Sequence, residues 1–223
     1  KWVFLVYAVV TFFSLVLLST TKIEERIKSE VPASFKSCMQ LLNNNFIIAV
    51  VIAIFLIVGA DVGMNSNIQN FLMKLHGYSL EKASYGISLY FTALMISRFS
   101  GAILLQFLKP IFFLVSTTIL ALIGLLLLIF SSSGLIAQIA IFTIGLGAGN
   151  LFPLIFSIAI NGMPSRSNEI SGLLIMAIVG GALVPPIMGL VSTSFGVIGS
   201  ILILVLCFSY LLLIPFIKSN PKN

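Results

Sequence analysis

Long stretches without a charged residue constrain this chain more than any other feature. Uncharged runs occupy residues 2–21, 37–60, 110–165 and 170–217. A helix needs about 20 apolar residues to cross the ~30 Å hydrocarbon core of a bilayer, and each run is long enough. Only 8% of the residues are charged, whereas average soluble domains have about 25%. The sequence therefore predicts an integral membrane protein and excludes a soluble enzyme and a nucleic-acid-binding protein.

Turn residues and isolated charges divide these runs into seven predicted spans. Run 110–165 is too long for one helix and divides at the SSSG cluster of 131–134, and run 170–217 divides at STSFG, 192–196. Asp61 and Arg98 each interrupt an apolar stretch, and we interpret each as a charge inside one helix. The predicted fold is an all-α polytopic membrane protein with seven transmembrane helices, at roughly 2–21, 44–73, 83–108, 111–131, 135–160, 170–192 and 196–217.

The distribution of basic residues predicts the orientation of these helices. Cytoplasmic loops collect Lys and Arg. If the 22–43 loop is cytoplasmic, eight basic residues lie inside (Lys22, Arg26, Lys28, Lys36, Lys109, Arg166, Lys218 and Lys222) and three outside (Lys1, Lys74 and Lys82). The tail at 218–223 is then cytoplasmic too. The KIEERIK segment at 22–28 is interpreted as a solvated linker, with a short interfacial helix as the alternative.

The helix count indicates a piece of a larger protein. The charged loop separates one helix, in 1–21, from a six-helix bundle in 44–217, and the sequence begins with Lys1 rather than Met. One helix before six is an unusual arrangement for a finished protein. We expect helix 1–21 to close an N-terminal bundle that lies outside this sequence. A non-transporting membrane fragment from an interrupted gene is the alternative.

Two helices in the bundle carry paired glycines followed by an asparagine. The second span has Gly59 and Gly63 ahead of Asn65, and the fifth has Gly145 and Gly149 ahead of Asn150. Glycine-interrupted helices at corresponding positions indicate a transporter's binding site. Plain close packing of helices is the alternative. Because Pro153 follows three residues after Asn150, we also expect a kink in the fifth span.

Asp61 is the most informative residue of the sequence. It lies 13 residues before Lys74, so ~20 Å along a helix and near the middle of the bilayer. A carboxylate at that depth faces a bundle interior or a cavity. The neighbouring asparagines Asn65, Asn67 and Asn70 provide donors and acceptors suited to a neutral polyol. We therefore predict a substrate-binding cavity lined by Asp61, Asn65, Asn67, Asn70 and Asn150, with polar contacts between helices as the alternative.

Arg98 lies at a similar depth on the neighbouring helix, with Tyr90 two turns earlier. It is interpreted either as an ion-pair partner of Asp61 or as a structural arginine that binds helix-end carbonyls. If Asp61 is paired, it stays ionised, and if it is not, it can carry a proton. No metal or cofactor is expected, because Cys38 and Cys207 have no metal-ligand spacing and no catalytic triad can be assembled.

Four segments of the bundle resemble a known family. They are FLIVGADVGMNSNIQNFL (55–72), ISRFSGAILLQFL (96–108), GLGAGNLFPLIFSIAINGM (145–163) and SGLLIMAIVGGALVPPIMGLVS (171–192). They are similar to the C-terminal half of major facilitator superfamily transporters, and more narrowly to the fucose/galactose/glucose–proton symporter family. The resemblance covers roughly 44–217.

This resemblance implies two six-helix bundles in the complete protein, of which the first lies mostly outside this sequence. It also implies proton-coupled uptake of a hexose or 6-deoxyhexose by alternating access across a bacterial inner membrane. The partners would be the sugar, protons, the lipid bilayer and the missing N-terminal bundle, and no nucleic acid. Asp61 falls on the family's acidic or amide position of the seventh helix. A carrier of a different small solute is the nearest alternative.

Overall fold

The computed structural model of the chain describes residues 2–21 and 34–217, and nearly all of these residues are helical. The helices are α1 (Trp2–Thr20), α2 (Phe35–Leu41), α3 (Asn45–His76), α4 (Leu80–Leu104), α5 (Pro110–Ile129), α6 (Gly134–Ala148), α7 (Leu151–Gly162), α8 (Ser167–Ala177) and α9 (Gly180–Leu211). Single 3₁₀ turns follow at Pro164–Arg166 and Ile214–Phe216. The predicted linker or helix at 22–28 and the predicted tail at 218–223 lie outside the described residues.

The described residues form two units. The first contains α1, a 19-residue helix with no charged side chain, which is ~28 Å long. The second contains α2 to α9. Within it, five helical stretches are long and apolar enough to cross a membrane, at 45–76, 80–104, 110–129, 134–162 and 164–216. Wherever a predicted span and an observed stretch share an end, the two bounds differ by at most six residues.

The last of these stretches contains two spans, because the chain reverses direction at Gly196. This glycine has φ 68° and ψ −173°, a backbone conformation that L-residues with a side chain rarely adopt. A Cβ on Gly199 would lie 3.1 Å from Cγ1 of Val191, although eight residues of straight helix would separate them by ~12 Å. The predicted division at 192–196 is therefore confirmed. Among residues 2–21 and 34–217, the second unit has six spans, and the shorter apolar helix α1 of the first unit brings the number to seven.

Local sequence explains where several helices begin and end. The side chains of Asn44, Ser79 and Ser133 accept a hydrogen bond from the first turn of α3, α4 and α6. Pro110 occupies the first turn of α5, where its missing N–H costs nothing. Gly77 ends α3 in the left-handed conformation, with φ 64°.

The centre of the bundle is α3, which packs against α4 and both limbs of α9. Glycines on both α3 and α9 lie where these two helices approach each other closely. A Cβ on Gly59 would lie 2.7 Å from Cβ of Val184, and one on Gly180 would lie 3.0 Å from Cα of Phe55. The expectation that Gly59 and Gly63 interrupt this helix is wrong, since α3 runs unbroken for 32 residues. Glycine removes side-chain bulk but keeps its N–H, so the hydrogen-bond ladder continues.

The fifth span, in contrast, is broken between α6 and α7 at Gly149 and Asn150. Pro153 has no N–H, so it cannot bond to the carbonyl of Gly149 four residues earlier. The break predicted at this span is present, and it lies one turn before the proline.

A short helix lies inside the segment that was expected to be loop up to residue 43. Helix α2 begins with a reciprocal cap, in which the side chains of Ser34 and Ser37 each accept from the other's backbone N–H. It packs against α8. Arg166 joins the two elements by donating to the Ser37 carbonyl at 3.3 Å and to Glu169 at 2.8 Å.

Candidate functional site

Asp61 lies at the middle of α3. Sixteen residues precede it in the helix and fifteen follow, so it is ~23 Å from either end. Its Oδ1 accepts a hydrogen bond of 2.6 Å from the Tyr90 hydroxyl, and Tyr90 is fully buried on α4. No other hydrogen bond to Asp61 is present among residues 2–21 and 34–217. The second carboxylate oxygen is therefore free to accept from a ligand.

Two cavities meet at this carboxylate, with volumes of about 350 and 570 Å³. Both are bordered by Asp61, Leu94 and Arg98, and we call them together the crevice. The smaller one extends between α3, α4 and the α6–α7 break, along Ile57, Val58, Ala148, Gly149, Phe152 and Pro153. The larger one follows the outer face of α4, along Phe91, Met95, Phe99 and Ala102. The crevice thus combines two opposite charges with three aromatic rings.

Arg98 supports the broken helix from inside the crevice. Its Nε donates to the carbonyl of Gly149 at 3.3 Å. This is the carbonyl that loses its helical partner because Pro153 has no N–H. Of the two interpretations of Arg98, the contact with a helix-end carbonyl is the one present. In the described part of the chain, the salt bridge within 4 Å is that of Arg166 with Glu169, and Arg98 and Asp61 share the crevice without one.

Asn150 lies beside this break and is directed away from the crevice. Its side chain is only 5% exposed, and its Nδ2 donates to the carbonyl of Ser97 at 2.5 Å and to the Ser97 hydroxyl at 2.9 Å. Ser97 in turn donates to the carbonyl of Leu146 at 2.6 Å. Two consecutive residues of α4, Ser97 and Arg98, therefore satisfy polar groups on both sides of the break.

The predicted asparagines of α3 do not border the two cavities. Asn67 donates to the Gly63 carbonyl in its own helix at 2.8 Å, and Asn70 is exposed. Asn65 is half-buried, one turn beyond Asp61. A further turn on, Gln69 donates to the Ser84 hydroxyl of α4 at 2.8 Å. Asp61, Asn65 and Gln69 thus share one face of α3, and the first and last of them bind side chains of α4.

Several residues of the site were not predicted as such. Tyr90 was noted only for its spacing from Arg98, although a hydroxyl in an apolar span is itself a signal of a polar partner. Ser97 gave no signal, because its contacts with Leu146 and Asn150 join residues about 50 positions apart. Across the described ranges 2–21 and 34–217, no three His, Cys, Asp or Glu side chains lie close enough together to hold a metal ion.

The chemistry of the crevice suits a neutral ligand with hydroxyl groups. The free oxygen of Asp61 accepts hydrogen bonds, and the remaining guanidinium N–H groups of Arg98 donate them. The rings of Phe91, Phe99 and Phe152 offer apolar faces. The opposite charges of Asp61 and Arg98 balance, so the site has no net preference for an ion.

Comparisons with known proteins place the chain among membrane carriers. The family described as Major Facilitator Superfamily matches residues 1–178. The "Glucose/galactose transporter" of Brucella abortus is 33% identical over 171 residues, which cover 76% of this chain and 41% of that protein. The "Putative glucose/galactose transporter" of Helicobacter pylori is 28% identical over 193 residues, which cover 83% and 46%. The chain thus spans less than half the length of these relatives.

Solved structures agree on the fold. The crystal structure of the E. coli "Fucose:proton symporter, FucP" matches with a TM-score of 0.80 and 23% identity, over 94% of this chain and 53% of that one. A structure of FucP "in the outward conformation" matches with a TM-score of 0.78 and 24% identity, over 95% and 52%. The relatives are transporters rather than enzymes, and the sequence-based family resemblance is confirmed. This chain is a multi-pass membrane protein that belongs to the Major Facilitator Superfamily.

Proposed function

We propose that this chain is the C-terminal half of a transporter that takes up a hexose or 6-deoxyhexose by alternating access, coupled to protons, across a bacterial inner membrane. The relatives named as glucose/galactose transporters support the sugar. The Fucose:proton symporter supports the fold. The complete protein would add an N-terminal bundle, which agrees with the chain's coverage of 41% of the Brucella abortus relative.

The observation that carries the proposal is the mid-membrane carboxylate in an open crevice. A charged side chain at the bilayer centre is costly and is kept where it has a partner or a function. Tyr90 holds one oxygen of Asp61 at 2.6 Å and leaves the other toward the cavities. A sugar hydroxyl can donate to that oxygen while a neighbouring hydroxyl accepts from Arg98.

The predicted asparagines take different proposed roles. Asn65, Asn67 and Asn70 continue along α3 from Asp61 toward the end of the helix predicted to be outside. We assign them to the entry side of the sugar pathway. Asn150 would act through the helix break, by holding α7 against Ser97. In this proposal the sugar contacts Asp61 and Arg98 directly and Asn150 only through its effect on the break.

Replacement of Asp61 tests the proposed function. In the complete transporter, Asp61→Asn should lower uptake of its labelled sugar by more than about tenfold, because loss of a charge-assisted hydrogen bond worth about 1.4 kcal/mol or more changes affinity by that factor. Glu81→Gln is the matched control, since Glu81 is the acid in the exposed first turn of α4. Uptake of a panel of labelled hexoses and 6-deoxyhexoses, with and without a protonophore, provides the measurement.

Each outcome distinguishes the alternatives. Unchanged uptake by Asp61→Asn would give Asp61 a structural role only. Failure to take up any sugar of the panel would favour a carrier of a different solute or a non-transporting fragment. The genomic sequence upstream separates these two, because an in-frame stretch encoding five more apolar helices is needed for a carrier, and a stop codon before Lys1 is expected for a fragment.

A further inference from the structure

The crevice continues along α7 into two further cavities. One, of about 420 Å³, shares Phe152 and Pro153 with the crevice and extends along Phe156, Ser157, Ile160 and Asn161. The other, of about 320 Å³, shares Ser157 and Asn161 with the first of these and reaches the beginnings of α3 and α5 at Phe46 and Pro110. We call these two cavities the α7 groove. Because each cavity shares two lining residues with the next, the groove and the crevice lie side by side along α7.

The groove leads toward the end of the bundle that carries Lys36, Lys109 and Arg166, which is the predicted cytoplasmic end. Asn161 is the penultimate residue of α7. From Pro153 to Asn161 the groove follows the helix for ~12 Å. Ser157 lies ~6 Å along the helix from Pro153 and Asn161 ~12 Å, and neither residue borders the crevice, so that a molecule bound to both occupies a second position.

The polar groups of the groove are arranged for a neutral ligand. Asn161 Nδ2 donates to the Ser157 hydroxyl at 3.1 Å, and both side chains are exposed. In the described part of the chain, the side-chain carbonyl oxygen of Asn161 and the hydroxyl hydrogen of Ser157 have no hydrogen-bond partner. The groove thus presents one acceptor and one donor side by side. None of the described residues that line the groove is charged.

Apolar ring faces lie beside this polar pair. Phe152 and Phe156 stand one turn apart with ring centroids 5.9 Å from each other. Phe152 also borders the crevice, so the rings continue from Asp61 toward Ser157. A polyol has hydroxyls for the amide and hydroxyl pair and C–H groups for the rings. Among the described lining residues, neither an anion nor a cation would find an opposite charge.

We propose that the α7 groove holds a second binding site for a neutral polyol, centred on Ser157 and Asn161, which the sugar occupies between the crevice and the cytoplasm. The inference rests on the proposed sugar transport, because the ligand is the transported sugar. It adds a site on α7 that the Asp61 crevice does not require.

Thiol labelling tests the groove without relying on transport. In inside-out vesicles of the complete transporter, a membrane-impermeant maleimide should modify Ser157→Cys about tenfold faster than Ser116→Cys, because a thiol reacts as the thiolate, which forms in water and not in an apolar setting. Ser116 is a matched control: it is exposed on α5, six residues from that helix's cytoplasmic end, and borders none of the four cavities. Both native cysteines, Cys38 and Cys207, are buried.

Protection by the sugar tests the site itself. The sugar that the transporter takes up should slow labelling of Ser157→Cys, and adding Asn161→Ala should remove that protection. Equal labelling rates of Ser157→Cys and Ser116→Cys would contradict the proposal that the α7 groove is filled with water. Fast labelling without protection, in a transporter that does take up the sugar, would overturn the second site while the proposed function stands. If no sugar is taken up and none protects, both proposals fail together.

Discussion

At the scale of single residues, the hydrogen bond from Tyr90 to Asp61 fixes the orientation of the mid-membrane carboxylate. Tyr90 is fully buried, so its ring cannot turn away without opening the core, and its hydroxyl reaches Oδ1 at 2.6 Å. A bond to a charged acceptor in a site of low dielectric is worth more than one in water. Tyr90 therefore acts as a positioning residue for Asp61.

Tyr90→Phe should keep the packing of α4 and remove this bond. Hydrogen bonds to charged groups contribute about 1.5–3 kcal/mol, so we expect the apparent KM for sugar uptake to rise by about tenfold or more. Tyr85→Phe is the control, because Tyr85 lies one turn and a half earlier on α4, is 62% exposed and does not contact Asp61. An unchanged KM in Tyr90→Phe would show that the orientation of Asp61 does not limit sugar binding.

The sequence predicted some of these residues for physical reasons and could not predict others. Asp61 stood out because an acid in the middle of an apolar helix needs a cavity or a partner. Which residue supplies that partner depends on how α3 and α4 pack. The sequence indicated Arg98 as the candidate, whereas the hydrogen bond comes from Tyr90. The amides of Asn67 and Asn150 form contacts within or between helices, which composition cannot distinguish from contacts to a ligand.

At the scale of helices, α3 and the α6–α7 pair show what breaks a membrane helix and what does not. Both contain two glycines four residues apart followed by an asparagine. Only the second contains Pro153, and only the second is broken. The kink in this span was predicted from the sequence, because proline leaves the carbonyl four residues before it without a helical partner. The sequence did not predict that Arg98 of α4 would donate a replacement hydrogen bond to the Gly149 carbonyl.

A double-mutant cycle measures this replacement. Arg98→Ala should lower the melting temperature less in a Pro153→Ala background than in the native one, because an alanine in place of the proline would restore an N–H for the Gly149 carbonyl. The coupling between residues in contact is about 0.5–3 kcal/mol. The same cycle with Pro110→Ala, in the first turn of α5, should show no coupling. Thermal unfolding in detergent gives the melting temperature of each variant. If Arg98→Ala lowers it equally in both backgrounds, Arg98 does not stabilise the break.

The contact between α3 and α9 depends on Gly180, whose neighbour is backbone rather than a flexible side chain. A Cβ there would lie 2.7 Å from the carbonyl carbon of Phe55. Gly180→Ala should therefore force the two helices apart and lower the melting temperature. Gly189→Ala on the same helix should leave it unchanged or raise it, since a Cβ there meets nothing within 4 Å. Equal melting temperatures would show that the helices tolerate a wider spacing.

At the scale of the whole molecule, the number of spans and the reversal at Gly196 could be read from apolar runs and turn residues. Helix α2 could not be predicted in this way, because its seven residues are too few to show a periodic pattern. It is stabilised by packing on α8. The orientation across the membrane remains a prediction from charge. Among the described residues, Lys36, Lys109 and Arg166 lie at one end of the bundle, and Lys74 and Lys82 at the other.

Labelling of two turns tests this orientation. Ser132 and Ser165 are both exposed, in turns at opposite ends of the bundle. We expect an impermeant maleimide to modify Ser132→Cys in intact cells and Ser165→Cys only in inside-out vesicles, because basic residues stay on the cytoplasmic side. The opposite pattern would invert the bundle and place the α7 groove at the outer surface.

The bonds that Ser97 and Arg98 form with both sides of the α6–α7 break have a mechanical consequence. They fasten α4 to that broken span at Leu146, Gly149 and Asn150. A bend that is braced on both sides does not flex easily. In the proposed transport cycle, the described bundle would then rotate as a unit, and the bend would keep a fixed shape instead of acting as a hinge.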